Sequence, residues 1–192
     1  LHKEVIEYIA EADDTLMEKW MEKGTLTEEE LRAGLHAAVQ KQSFVPVFCT
    51  SAVNNIGVAR LLDMIAKYGS SPVDRKVVKA QDAEGRECEV KLHGAETVCY
   101  VFKTMSEAQF GELSFFRVYS GQVKSGSELY NIDRRVSEKI GQLYLLNGKM
   151  RDLAPALNAS DIGAVVKLKD THTGNTLCSV KHPVALPKVV YP

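Results

Sequence analysis

The chain has 192 residues, of which 45% are hydrophobic, so it can bury one large core or two smaller ones and is not a disordered protein. Its 24 basic and 25 acidic residues give a net charge of -1, which excludes a general electrostatic attraction to nucleic acid or to an anionic membrane. The longest apolar run, residues 44–49, is far shorter than the roughly 20 residues of a membrane-spanning helix, and the amino end does not resemble a signal peptide.

The front of the chain is predicted to be helical. Apolar residues recur at three- and four-residue steps from Val5 to Trp20, which predicts one helix that ends near Gly24. Thr27 followed by Glu30 has the pattern of a capping box, in which the two side chains bond each other's backbone N–H groups. A second helix is therefore expected to begin there.

Residues 44–49 form a short apolar run that contains one proline, and we expect a buried strand. A polar loop follows, and apolar residues at helical spacing from Val58 to Ile65 predict a third helix. Strand, loop and helix together make half of an α/β unit. The Gly-Ser-Ser-Pro sequence of residues 69–72 stops this helix and marks the expected domain boundary.

Beyond this boundary, residues 73–96 are predicted to be a charged linker or a long hairpin. Residues 97–192 contain β-branched and aromatic runs of strand length, separated by glycine-containing turn signals. Short strands at near-regular spacing predict a closed antiparallel barrel, which leaves no exposed sheet edge. The expected fold class is α+β, a helical and partial α/β segment followed by an antiparallel β-barrel.

The charges are distributed unevenly. Residues 1–75 carry eight basic and twelve acidic side chains, whereas residues 97–192 carry twelve basic and eight acidic ones. This asymmetry favours two bodies with different partners.

Four cysteines lie far apart without CxxC spacing, which favours a reducing cytoplasm and small buried apolar side chains over disulfides or zinc; they are Cys49, Cys88, Cys99 and Cys178.

Two short patterns could be mistaken for phosphate-binding motifs. Residues 121–126 have GxxxxG spacing, but the lysine and hydroxyl of a phosphate loop do not follow and both flanks are strand-like, so we interpret them as a hairpin turn. Residues 82–85 have the DxxG spacing that GTPases use, and we interpret them as a tight turn. No nucleophile with its base and no pair of metal-spaced histidines is apparent.

The densest positive cluster of the sequence has two interpretations. These side chains are either solvated charges on hairpins or contacts to a phosphate backbone. The cluster comprises Arg134, Arg135, Lys139, Lys149 and Arg151.

Six segments taken in order carry a family resemblance. They are residues 16–20 (LMEKW), 26–31 (LTEEEL), 48–52 (FCTSA), 71–74 (SPVD), 115–121 (FFRVYSG) and 168–178 (LKDTHTGNTLC). In this order they resemble elongation factor G, the translocase of the translational GTPase family, and the resemblance covers nearly the whole chain. The sequence departs from the family pattern at Ser160 and Lys167, where glycine is usual.

For the front part, the resemblance implies that residues 1–72 are the C-terminal part of a GTP-binding domain, including part of the subdomain that this family inserts. Thr50, Ser51 and Ala52 would be the fifth GTPase motif, whose backbone amides approach the guanine carbonyl oxygen. The other motifs would precede Leu1. We therefore expect GTP with Mg²⁺ as the cofactor of the full-length protein, which would be a GTPase, and no GTP binding or hydrolysis by these 192 residues.

For residues 97–192, the resemblance implies the family's second domain, a β-barrel that lies against small-subunit ribosomal RNA. The expected partners are the ribosome, this RNA and the other domains of the full-length factor, with the positive cluster as the candidate RNA contact. The implied function is translocation during protein synthesis. The alternatives are a ribosome-protection or non-translocating paralogue that uses the barrel as a binding module, and a stand-alone adaptor domain.

Overall fold

The computed structural model describes residues 2–11, 13–107 and 111–189. The chain divides between Ser71 and Pro72 into two compact units. The first unit contains the helices, and the second contains the strands. In the described ranges, no helix is both long enough and apolar enough to cross a bilayer.

The described residues of the first unit form four helices. They are α1 (His2–Ala10), α2 (Asp14–Lys23), α3 (Glu28–Gln40) and α4 (Val58–Tyr68). Helix α1 packs against α2 and α3, and α3 packs against α4. A Cβ on Gly34 of α3 would lie 2.7 Å from side-chain atoms of Ile9 and Leu16, so the absence of a side chain there lets these helices approach closely.

The prediction of one helix from Val5 to Trp20 is wrong, because the chain breaks at Asp13. The Asp13 carboxylate accepts hydrogen bonds from the N–H groups of Thr15 at 2.9 Å and Leu16 at 3.4 Å and caps a new helix. The predicted end at Gly24 is confirmed: this residue has φ 65° and its N–H donates to the Trp20 carbonyl.

Helix α3 begins at the predicted capping box. The Thr27 hydroxyl accepts from the Glu30 N–H at 3.3 Å, and the Glu30 carboxylate accepts from the Thr27 N–H at 3.0 Å. The ammonium of Lys19 on α2 also bonds Glu30 at 2.5 Å. This ion pair joins the start of α3 to its neighbour.

Residues 44–49 do not form the predicted buried strand. Val45 and Val47 are 75% and 87% exposed, and the segment has no strand partner among the described residues. A strand is stabilised by the hydrogen bonds of a neighbouring strand, so an apolar run without one remains extended and exposed. Cys49 is exposed for the same reason, and Cys88 is half-buried, which corrects the expectation that all four cysteines are buried.

The second unit begins with a short 3₁₀ turn at Pro72–Asp74 and a hairpin of β1 (Val77–Asp82) and β2 (Glu87–Lys91). Residues 82–85 form the expected tight turn, with the Gly85 N–H donating to the Asp82 carbonyl at 3.0 Å. A late strand, β13 (Val184–Ala185), pairs with the other side of β1. The hairpin is therefore part of a three-stranded sheet.

In the described ranges, ten further strands follow the hairpin. They are β3 (Val98–Glu107), β4 (Gly111–Ser120), β5 (Gln122–Lys124), β6 (Glu128–Asn131), β7 (Val136–Lys139), β8 (Leu143–Asn147), β9 (Met150–Ala154), β10 (Ala156–Asn158), β11 (Ile162–Val166) and β12 (Thr176–Cys178). Eight of them pair antiparallel in the order β7-β6-β12-β3-β4-β11-β8-β9, and β5 pairs with β10. The prediction of antiparallel strands is confirmed.

Two apolar clusters cover the two faces of strands β3 and β12. The main core takes side chains from nearly all of these ten strands; it consists of Cys99, Val101, Phe116, Val118, Val123, Leu129, Ile140, Leu143, Ala154, Leu157, Val165, Leu168 and Leu177. The second cluster joins Val78, Ala80 and Val90 of the hairpin to Val98, Tyr100, Cys178 and Leu186. The hairpin thus packs on the outer face of the larger sheet.

Candidate functional site

The loop predicted to approach guanine lies between residues 49 and 58. Ser51 and Ile56 form an isolated antiparallel bridge with two backbone hydrogen bonds of 3.0 Å. The Ser51 hydroxyl accepts from the Asn54 N–H at 3.4 Å. These bonds hold Thr50, Ser51 and Ala52 in a turn directly before α4.

Backbone amides in this loop differ in availability. The Ser51 N–H donates to the Ile56 carbonyl, whereas the N–H groups of Thr50 and Ala52 have no acceptor within the described part of the chain. Gly57 closes the loop with φ 73°, and a Cβ there would lie 3.1 Å from the Cys49 carbonyl oxygen. The N–H groups of Thr50 and Ala52 are therefore the ones in this loop that could donate a hydrogen bond to a nucleotide base. Gly57 permits the close approach of the backbone to the Cys49 carbonyl.

The predicted positive cluster divides between two parts of the second unit. Arg134 and Arg135 are exposed in the β6–β7 turn, and Lys139 ends β7. Lys149 is exposed in the β8–β9 turn, and Arg151 on β9 is paired with Glu107. Strands β7 and β9 are the two ends of the eight-strand order, so they are not hydrogen-bonded neighbours in this sheet.

Two lysines outside the predicted positive cluster line the same cavity as one that belongs to it. Lys167 and Lys169 line a cavity of about 510 Å³ together with Lys139. We call it the lysine cavity; its remaining lining residues are Ser137, Glu138, Gly141, Gln142 and Val166. Closely spaced lysines at 167 and 169 were the available signal, but their approach to Lys139 depends on how the strands pair.

A buried polar network connects residues 169–171 to strands β6 and β7. The Glu138 side chain, in a residue that is 3% exposed, accepts hydrogen bonds from the N–H groups of Lys169 at 3.1 Å and Asp170 at 2.7 Å and from the Thr171 hydroxyl at 2.9 Å. The Asn131 side-chain amide donates to the same hydroxyl at 2.9 Å. The Lys-Asp-Thr segment is therefore fixed to β6 and β7.

A second cavity, of about 550 Å³, lies beside the hairpin and is lined by Cys88, Glu96 and His182 among others. The His182 ring nitrogen is 3.6 Å from the Glu96 carboxylate. Burial, and then the negative charge of Asp82, raises the pKa of the Cys88 thiol, so the thiolate needed for nucleophilic attack is disfavoured. Within the described ranges, no group of three or more His, Cys, Asp or Glu side chains could hold a metal ion.

Comparison with known proteins relates the strand-rich unit to a translation factor domain. Residues 111–178, from β4 to β12, match the family model of elongation factor Tu domain 2. The second unit is similar to an elongation factor domain. This match begins after the hairpin and includes the whole Lys-Asp-Thr segment.

A solved structure extends the comparison to both units. The crystal structure of a protein from Thermus thermophilus aligns with 98% of this chain at 27% sequence identity and a TM-score of 0.74. The aligned region is 26% of that protein, so this chain spans about a quarter of its length. Together the two matches relate the second unit to an elongation factor domain and both units to one longer chain.

Proposed function

We propose that this chain is part of a ribosome-binding translational GTPase of the elongation factor G type, which acts in translocation during protein synthesis. The observation that carries the proposal is the match of residues 111–178 to elongation factor Tu domain 2. The 98% alignment with the Thermus thermophilus protein adds that the helical unit precedes this domain in a related chain.

The narrower assignment to elongation factor G draws on the helical unit. The segments at residues 16–20 and 26–31 carry the sequence resemblance, and they lie in α2 and at the capped start of α3. The ion pair between Lys19 and Glu30 joins these two segments directly. Residues that define the resemblance thus also stabilise the local fold.

We also infer that the strands of the second unit close into a barrel. One buried cluster receives side chains from β6, next to one end of the eight-strand order, from β9 at the other end, and from the β5–β10 pair. These side chains include Leu129, Ala154 and Leu157. The Ser125 N–H donates to the Pro155 carbonyl at 3.1 Å, which links the end of β5 to the connection between β9 and β10. A closed sheet would leave the charged turns as the outward surface.

In the full-length factor we expect the triphosphate and Mg²⁺ to be bound by residues outside this chain. Only the guanine base would be contacted from this chain, by the backbone of Thr50, Ser51 and Ala52. The expected partners are the ribosome with its small-subunit RNA and the other domains of the factor, in the cytoplasm. The basic residues at 134, 135, 139, 149 and 151 remain candidates for phosphate contact, with Arg151 already engaged by Glu107.

The direct test is to assay the full-length protein for ribosome-stimulated GTP hydrolysis and for movement of tRNA on the ribosome. Stimulated hydrolysis together with tRNA movement is the expected result. Failure to associate with ribosomes would contradict the proposal.

A non-translocating paralogue is the second candidate. It is favoured by the side chains at Ser160 and Lys167, two positions that retain the left-handed backbone with φ 81° and 63° but lack the glycine usual in the resembling family. Ribosome-stimulated hydrolysis without tRNA movement would support this candidate over the translocase.

A further inference from the structure

Strand β2 is an edge strand of the three-stranded sheet, whose order is β13-β1-β2. The Asp82 N–H donates to the Arg86 carbonyl at 3.0 Å, and the Leu92 N–H donates to the Lys76 carbonyl at 2.9 Å. The hydrogen-bonded pairs of an antiparallel ladder alternate, so residues 86, 88, 90 and 92 bond β1. The backbone groups of the residues between them therefore point away from β1.

Four of these outward groups are free. The N–H and C=O groups of Glu87 and Glu89 have no hydrogen-bond partner within the described part of the chain. The Lys91 carbonyl accepts from the Gly94 N–H at 3.1 Å, so the free edge ends there. Alternating donors and acceptors in strand geometry are complementary to the backbone of another extended polypeptide.

A cavity of about 550 Å³ adjoins this edge, and we call it the hairpin cavity. Cys88 and Val90 line it from the face of β2 that packs on the second apolar cluster, and Glu89 of the free edge also belongs to the lining. Side chains alternate between the faces of a sheet. In a strand added beside β2, the residue opposite Cys88 would therefore point to the face on which the cavity lies.

The opposite face of β2 is acidic. Glu87 and Glu89 are exposed, and neither makes an ion pair with any residue that the structure describes. Lys79 on β1 lies opposite Glu89 in the register and reduces its negative potential without pairing with it. An added strand would place side chains opposite both carboxylates, where basic residues are favoured.

The remaining charges around the hairpin cavity limit where a partner is basic. Asp82 and Glu84 are paired with Arg86, and the Glu96 carboxylate is 3.6 Å from the His182 ring nitrogen. The basic lining residues that make no ion pair among the described residues are Lys91 and Lys181. These two ammonium groups disfavour a partner that is basic throughout its length.

A second copy of β2 does not meet these requirements. Antiparallel pairing of two copies about Cys88 is the register that uses the free backbone groups of both glutamates. It would place Glu87 of each copy opposite Glu89 of the other. Like charges directly opposite each other destabilise a strand pair, so the complementary strand carries the opposite charge.

We propose that the free edge of β2 binds an extended segment of a partner protein as an added strand. Basic side chains of the segment lie opposite Glu87 and Glu89, and an apolar side chain between them enters the hairpin cavity. The backbone bonds supply affinity, and the carboxylates and the cavity select the sequence. Proline and bulges protect many edges from such pairing, but β2 contains no proline and its register with β1 is continuous.

The test uses the 192-residue chain and a short capped peptide in which arginine alternates with valine. The peptide is expected to bind and to protect the amides of Glu87 and Glu89 from hydrogen exchange measured by NMR. A peptide with glutamate in place of arginine, and one with N-methylated central amides, should not bind. Binding without protection of these two amides would overturn the inference.

Protein variants test the charges separately. Glu87→Lys combined with Glu89→Lys should weaken binding of the arginine peptide about tenfold and allow the glutamate peptide to bind. Glu128→Lys is the matched control, because Glu128 is exposed on β6, which is paired on both sides. Equal weakening by the control, or an unchanged preference in the double variant, would contradict the charge selection.

The role of the hairpin cavity is tested from both partners. Cys88→Phe fills the cavity and should weaken binding. Replacing the central valine of the peptide by glycine should do the same while leaving the protein intact, so the test does not depend on the folding of the variant. Unchanged affinity for the glycine peptide would overturn the cavity as the apolar subsite. A dimer of the chain that protects the same amides without peptide would overturn the inference in favour of a second copy.

Discussion

The buried carboxylate of Glu138 on β7 accepts a hydrogen bond from the backbone N–H of Asp170 at 2.7 Å, although the two residues are 32 positions apart. The same side chain bonds the N–H of Lys169 and the Thr171 hydroxyl. A side chain that accepts from three donors fixes the positions of all three at once. The segment of residues 169–171, which carries Lys169 of the lysine cavity, therefore depends on one acidic side chain.

Replacing Glu138 by glutamine should destabilise the second unit by about 2 kcal/mol, because the amide NH₂ cannot accept from backbone N–H groups and leaves a buried donor without a partner. Urea unfolding followed by hydrogen exchange at the amides of Lys169 and Asp170 would measure the loss. Glu128→Gln on the neighbouring β6 is the matched control, since Glu128 is exposed. Equal stability of the two variants would contradict the role given to Glu138.

Features that depend on neighbouring residues in the chain could be predicted from the sequence. The capping box of Thr27 and Glu30 and the glycine stop at Gly24 are local, because each involves residues within one helical turn. The break at Asp13 is also local, but the apolar spacing that continues across it concealed the cap. The cap at Asp13 predicts two helices, whereas the continuous apolar stripe predicts one helix from the same residues.

Features that depend on partners distant in sequence could not be predicted. Residues 44–49 are apolar enough for a buried strand, yet no described strand lies beside them. Lys139 lines the same cavity as Lys167 and Lys169 because Glu138 on β7 bonds the backbone of the segment after β11. The grouping of these lysines therefore follows a contact between distant segments and not the density of positive charge along the chain.

Acid should weaken the junction between α2 and α3. The Lys19 ammonium, followed by the Thr27 backbone and hydroxyl, lowers the pKa of Glu30 from 4.5 to about 2. A carboxyl with a lowered folded-state pKa contributes stability above its unfolded pKa and loses it as the pH falls through the folded value. The contribution of Glu30 is thus expected to be complete above about pH 5 and to disappear between about pH 4.5 and 2.

An NMR titration of the Glu30 carboxyl would measure this directly. In Lys19→Gln the Glu30 pKa should rise toward its ordinary value, since the first cause of its lowering is removed, while the capping box keeps part of the effect. An unchanged Glu30 pKa in this variant would show that the ion pair does not form in solution.

Lys167→Gly should raise the stability of the second unit. A non-glycine residue in the left-handed region costs about 1–2 kcal/mol, and the greater freedom of glycine in the unfolded chain returns roughly 0.5–1 kcal/mol of this. The expected net gain is therefore about 0.5–1 kcal/mol in urea unfolding. Lys169→Gly, where φ is not positive, removes the same charge without relieving strain and should lower stability instead.

Gly163→Ala should destabilise the core of the second unit. The added Cβ on β11 would lie 2.2 Å from Cδ1 of Leu157 and 3.0 Å from the Tyr144 carbonyl oxygen, so both the side chain and the strand would have to move. Overpacking of this kind costs about 1–3 kcal/mol. Gly141→Ala is the control, because its nearest neighbour would be 3.6 Å away. Thermal unfolding of the two variants should differ clearly, and similar values would contradict the packing at Gly163.

The loop at residues 50–52 should support nucleotide binding only together with the rest of a GTP-binding domain. Its two amides at Thr50 and Ala52, which have no acceptor among the described residues, cannot replace the lysine and backbone cradle that hold a triphosphate. A calorimetric titration of the 192-residue chain with GTP and Mg²⁺ is therefore expected to show no binding. Micromolar affinity would contradict this assignment of the loop.

In the full-length protein, Gly57→Ala should lower GTP affinity by about tenfold, which corresponds to a loss of about 1.4 kcal/mol. The added Cβ would lie 3.1 Å from the Cys49 carbonyl oxygen and would displace the backbone just before Thr50, and the positive φ of 73° adds strain. Gly24→Ala is the matched control, because Gly24 has φ 65° but nothing within 4 Å of the added Cβ. If both variants bound GTP as tightly as the wild type, the loop before α4 would not contact the nucleotide.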